Sequence, residues 1–119
     1  MKRSRPPAAY QDFVSRYPRL GRAWELANDE AAKGPLDERT QRLVKLAIAI
    51  GAQRESAARS AVRKARDAGV SIAEMEQIVP LAASTIGFPA SVAAWSWIRE
   101  IVPAAGAASS PARRRKRAR

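Results

Sequence analysis

The sequence predicts an all-α protein, a compact bundle of about six helices between basic ends. Three observations lead there. Apolar side chains recur at spacings of three and four through most of the interior, the signature of amphipathic helices. No run of β-branched residues alternates with polar ones over a strand's length. Pro and Gly fall where they divide the pattern into helix-length pieces. With 119 residues, 46% of them apolar, the chain suits one domain with its own core. Many of those residues are alanines that bury little area. Trp24, Leu46, Ile48, Ile78, Trp95 and Ile98 are therefore expected to supply most of the hydrophobic stabilisation.

Tyr10, Phe13, Val14 and Tyr17 share one stripe of a short first helix that Pro18 ends. Pro18 also suits the first turn of a second helix, which passes Leu20, Trp24, Ala27 and Ala31 before the Gly34-Pro35 break. Asp37 is placed to cap a third helix with core face Leu43, Leu46, Ala47 and Ile50, ending near Gly51. A strongly basic fourth helix spans Arg54 to Ala68, with Gly69 as the left-handed residue that stops it. Ser71 and Glu74 form a capping box for the fifth helix, with Val70 and Met75 as its hydrophobic staple. That helix presents Ile72, Met75, Ile78, Val79 and Ala82 to the core, and a kink is expected at Pro80. After a break at Gly87-Phe88-Pro89, Val92, Trp95, Ile98 and Val102 define the stripe of a sixth helix. Trp95 and Trp97 lie two apart and point in different directions. The stripe assigns Trp95 to the core and leaves Trp97 for an interface.

The net charge of +11 is concentrated at the ends. Lys2, Arg3 and Arg5 lie in residues 1–7, a flexible basic N-terminus, while Arg113, Arg114, Arg115, Lys116, Arg117 and Arg119 lie in residues 103–119. Residues 8–102, the helical domain, hold every Asp and Glu and are nearly balanced. Pro103–Pro111 reads as a flexible linker, and the basic tail after it is a candidate nucleic-acid contact acting through phosphate neutralisation. The alternative is a solvated tail that aids solubility. The N-terminal basic residues lead into Pro6, Pro7 and polar Gln11 and Asp12 rather than an apolar signal segment. The longest apolar run, Leu46–Ala52, is far below the roughly 20 residues of a membrane span. A cytoplasmic protein that does not enter membranes is the expectation.

The chain has no Cys and no His. That excludes disulfides, thiolate nucleophiles, thiolate metal sites and imidazole proton transfer. The glycines are isolated, with no nucleotide-binding motif, so no cofactor and no metal is expected.

The order of the central pieces resembles the carboxymuconolactone decarboxylase family, which includes the alkyl hydroperoxidase D-like proteins. The resemblance is carried by Leu36-Asp37, Thr40, Arg42-Leu43-Val44 and Leu46 to Gly51, then Ala65, Gly69, Val70-Ser71 and Glu74, and then Gly87-Phe88-Pro89, across residues 36 to 102. In the redox branch a Cys-x-x-Cys and a His follow the central helix, and the resemblance places those three roles at Arg54, Ala57 and Ala61. A second branch, with Glu, small residues and a His-Ser-His triplet, is more similar to Glu55 through Arg63, but Arg59 and Ala61 replace both histidines. The resemblance thus implies a decarboxylase or peroxidase ancestry whose reactive groups are absent here, and assembly into trimers or hexamers.

Glu55, Arg59 and Arg63 follow one another at spacings of four on the fourth helix. They are the candidate ligand site: two guanidinium groups for a small carboxylate or phosphate, with Glu55 a weak candidate for a general base. The plain alternative is an exposed salt-bridged row. Three functions stay open: a divergent family member that binds a small anion, an oligomeric scaffold that presents basic tails to nucleic acid, and a histidine-independent decarboxylase or isomerase acting on a carboxylated lactone.

Overall fold

A computed structural model describes residues 7–109. It contains six helices, α1 (Ala8–Arg16), α2 (Pro18–Ala31), α3 (Glu38–Gly51), α4 (Glu55–Asp67), α5 (Ile72–Ile86) and α6 (Phe88–Ser109), and no strand among the described residues. The all-α expectation holds. The basic residues 113–119 and the N-terminal Lys2, Arg3 and Arg5 lie outside the described residues.

Helices α3 to α6 form the body, packed as α3 on α4 and α5, and α6 on α4 and α5. Leu46, Ile50, Ala58, Val62, Ala65, Met75, Ala94 and Ile98 are fully buried at its centre. Helices α1 and α2 pair as a hairpin beside this body, giving extents of 54 × 33 × 28 Å. The hairpin closes on Gly21, where an added Cβ would come within 3.0 Å of Val14 Cβ. Glycine in a helix interior costs about 0.5–1 kcal/mol relative to alanine, and here the close crossing of two helices requires it.

Local sequence explains most boundaries. Asp37 Oδ1 accepts the Thr40 N–H at 2.8 Å and caps α3. At the end of α4, Val70 N–H reaches Ala65 O at 2.9 Å and Gly69 N–H reaches Arg66 O at 3.0 Å, with Gly69 at φ +88°. This double closure satisfies the last carbonyls of the helix. Helix α3 closes in the same way, through Arg54 N–H to Ala49 O and Gln53 N–H to Ile50 O, but its left-handed residue is Gln53 at φ 57°. The capping box of α5 is complete: Ser71 Oγ accepts Glu74 N–H at 3.1 Å and Glu74 Oε1 accepts Ser71 N–H at 2.8 Å. Arg39 of α3 donates to the same carboxylate at 2.5 Å, tying α3 to the α4–α5 turn.

Several core assignments need correction. Trp95 is 41% exposed and Trp97 is 9% exposed, the reverse of the expectation. The buried stripe of α6 is Ser91, Ala94, Trp97 and Ile98, while Val92 is exposed. Small Ala94 lets α6 approach the small face of α4, and this rotates the helix relative to a stripe chosen by side-chain size alone. Trp24 and Ile48, counted above as core, are exposed, and Ala47 yields its place on the buried face of α3 to Ala49. The sixth helix starts at Phe88, because the break is confined to Gly87 at φ +91° and Pro89 fits the first helical turn. It continues to Ser109 rather than stopping at Val102, through an alanine-rich stretch of high helix propensity that reads from sequence as a linker. Helix α5 runs through Pro80, which sits on its exposed face.

Trp97→Ala should lower unfolding free energy by about 3–5 kcal/mol and Trp95→Ala by about 1 kcal/mol or less. Urea denaturation of the two variants measures the difference, and equal effects would contradict the rotation of α6.

Candidate functional site

Between α2 on one side and α3 with α4 on the other lies a groove made of two adjoining cavities. The larger, about 810 Å³, is walled by Tyr10, Phe13, Val14 and Leu20 of the hairpin, and carries Arg63 and Asp67 from α4. The smaller, about 290 Å³, lies between Arg42, Lys45 and Ile48 of α3 and Arg54, Ala57, Ala61 and Lys64 of α4. Trp24, Asn28, Arg42, Ser60 and Lys64 line both and form the junction.

Helical geometry selects these residues. Positions 54, 57, 61 and 64 recur at three and four along α4, so they share one face. Arg54, Ala57 and Ala61, the positions that the resemblance gives to two thiols and an imidazole, thus lie together on the smaller cavity. Among the described residues its charged lining is Arg42, Lys45, Arg54 and Lys64, all cations. Arg54 is also the N-cap of α4 and supplies no side-chain cap, so the positive end of that helix adds to the field.

Not one of Arg42, Lys45, Arg54, Arg63 and Lys64 makes a salt bridge to another described residue. Arg42 Nε is buried without a hydrogen-bond partner. A buried donor left unsatisfied costs about 1–3 kcal/mol. Lys64 is exposed overall, and partial desolvation against the groove walls, then the charges of Arg42, Lys45 and Arg63, hold its ammonium below the ordinary lysine range.

The row Glu55, Arg59, Arg63 divides. Arg59 Nη2 donates to Glu55 Oε2 at 2.6 Å, and its Nη1 donates to Glu100 of α6 through a short bond. Two carboxylates therefore occupy its guanidinium, and their hydrogen bonds, Glu100 first and Glu55 second, raise its pKa. Arg63, one turn on, faces the larger cavity instead. Sequence reasoning reached Arg54, Ala57, Ala61 and Arg63 and missed Arg42, Lys45 and Lys64. Continuing the 54–57–61 spacing by three residues arrives at Lys64, and Arg42 and Lys45 are three apart on α3.

Among the described residues no helix is long and apolar enough to cross a membrane, and no group of His, Cys, Asp or Glu is arranged to hold a metal.

The profile of the Carboxymuconolactone decarboxylase family matches residues 18–100, and the chain belongs to that family. The match takes in α2, which the sequence motifs alone left loosely placed, and leaves α1 outside it. Neither the curated proteins nor the solved structures contain a match to the chain.

Lys64→Gln is expected to raise the melting temperature. The folded state binds this proton less tightly than the unfolded chain, so wild-type stability rises with pH between the folded and unfolded pKa values. The advantage of the variant is full below the folded pKa of Lys64 and shrinks as pH climbs through it towards the ordinary lysine value of about 10.4. Melting curves across neutral to alkaline pH measure this, and an advantage that grows with pH would contradict it.

Proposed function

We propose that the protein binds a small organic anion with an apolar body in this groove, as a divergent family member without thiol or histidine chemistry. The supporting observation is the smaller cavity, whose charged lining among the described residues consists of four cations, none with a salt bridge to another described residue. Guanidinium and ammonium groups form charge-assisted bonds to carboxylate or phosphate oxygens, strengthened where water is thinned by apolar walls. The adjoining cavity supplies those walls in Tyr10, Phe13, Leu20 and Trp24. The anionic end belongs among Arg42, Lys45 and Arg54, and the apolar end against the hairpin. Arg63 stands at the rim of the larger cavity as a further anion contact, while Arg59 and Glu55 hold α4 to α6.

Hydrocinnamate, an aromatic carboxylate, should raise the melting temperature by several degrees near saturation, since ligand at a hundred times Kd adds about 2.7 kcal/mol. The double variant Arg42→Gln/Lys45→Gln should lose most of that rise. No change in the wild-type melting temperature, or an equal rise in the double variant, would remove the proposal. The same protein should show no lipoyl- or thiol-dependent peroxidase turnover.

The family is one whose members often assemble, and we infer a homo-oligomer here. Helix α1 buries none of its residues, and Tyr17 and Leu26, which do not line the groove, are exposed on the hairpin. Phe88, Val92 and Trp95 form an exposed stripe on α6. A nine-residue helix is marginal in water without tertiary support. Light scattering after size exclusion should give a multiple of the 13.0 kDa chain mass, and Phe88→Asp/Val92→Asp should reduce it. A monomer in the wild type would contradict this.

A further inference from the structure

We infer that Lys64 is an amine nucleophile that captures the carbonyl carbon of a keto acid bound in the groove as an imine. The inference rests on the anion-binding reading of the same site and names the substrate class. Lys64 lies at the junction of the two cavities, with the all-cationic cavity on one side and the apolar cavity on the other. A keto acid has the matching order of parts: a carboxylate, then a carbonyl, then an apolar remainder. With the carboxylate among Arg42, Lys45 and Arg54 and the remainder against Trp24 and Phe13, the carbonyl falls at the lysine.

An imine requires an uncharged amine, because the ammonium has no lone pair. The groups around Lys64 work in that direction. From α3 it faces Arg42 and Lys45. Its own helix contributes Arg63, Arg54 and Asp67 to the cavity walls, and α2 contributes Glu25, which is paired with Arg22 at 3.1 Å. Partial burial and three neighbouring cations favour loss of the proton. Lys64 itself makes no salt bridge to a described carboxylate that would hold it charged.

In the step, the Nζ lone pair forms a C–N bond to the carbonyl carbon while the C=O π pair moves to oxygen, which takes a proton from solvent. The nitrogen, cationic after the attack, gives one proton back to solvent, and loss of water after the hydroxyl takes up a second proton leaves a protonated imine on Lys64. The step is a condensation with no change of oxidation state. The iminium then draws electrons from the bond on the adjacent carbon, a C–H bond or, in a β-keto acid, the bond to the carboxylate.

The test treats the full chain with phenylpyruvate or benzoylacetate and borohydride near neutral pH, and locates the reduced adduct by peptide mass spectrometry. Hydrocinnamate, without a carbonyl, serves as the control ligand. The expected result is an adduct concentrated on Lys64, several-fold above that on any other lysine of the chain. Lys64→Arg should abolish it. A rise with hydrocinnamate but no adduct on Lys64, or adducts spread evenly over the lysines, would overturn the imine and leave the anion site standing. Failure of hydrocinnamate to change the melting temperature would remove the anion site, and the imine with it.

Discussion

Helix α4 has two neighbours to satisfy at once, and the rest of the molecule is arranged around how it does so. Its inner face, Ala58, Val62 and Ala65, is fully buried against α3 and α6. Small side chains there bring three helix axes close and leave little room for a larger residue, since cores are packed near the density of organic crystals. The spacing that fixes this inner face also fixes the outer one. Arg54, Ala57, Ala61 and Lys64 must then lie towards α3 and the hairpin, where the groove is. The position of the site is thus a consequence of core packing. A change at Val62 that rotated α4 would move every cation on it.

The two arginines of α4 that look alike in sequence show how a neighbouring helix assigns roles. Arg59 meets Glu100 across the α4–α6 contact and Glu55 one turn back, and becomes a tie between helices. Arg63 meets neither. The same division separates Arg39, held by Glu74, from Arg42, three residues on, whose Nε has no partner. Among the described residues Arg39 and Arg59 are paired with carboxylates, while Arg42, Lys45, Arg54, Arg63 and Lys64 on the groove make no salt bridge. Like charges crowded on one wall repel one another and disfavour the charged form of each titratable cation among them.

Features set within one turn of chain were legible in the sequence. The Ser71–Glu74 box, the Asp37 cap and the Gly69 stop depend only on nearby residues, and each appears with the expected hydrogen bonds. Gly21 was less legible, because its reason is Val14 on another helix. Gln53 carries the left-handed turn where composition favours glycine, and its Nε2 donates to Ile50 O at 2.7 Å, a contact that no propensity anticipates. Trp95 and Trp97 differ by the rotation of α6, set by the size of Ala94 and the small face of α4 rather than by their own hydrophobicity. Trp24 and Ile48 read as core because large apolar residues usually are, yet they line the groove. The cationic cluster needed α3 and α4 to be laid side by side. Arg42 and Lys64 are far apart in sequence, and only the helix pairing joins them.

The absence of thiol and imidazole acquires a specific meaning at this site. A thiol becomes reactive when nearby cations and a helix N-terminus stabilise its thiolate. Arg42, Lys45 and the start of α4, which has no side-chain cap, surround Arg54 and Ala57, the positions to which the family resemblance assigns thiols. The positive field is present here without a thiol, and Arg54 adds to it. A field of that sign acts on whatever ionisable group remains in reach. It is the second cause, after desolvation, of the lowered proton affinity of Lys64, so the titration of that lysine reports on the combined field of Arg42, Lys45 and Arg63.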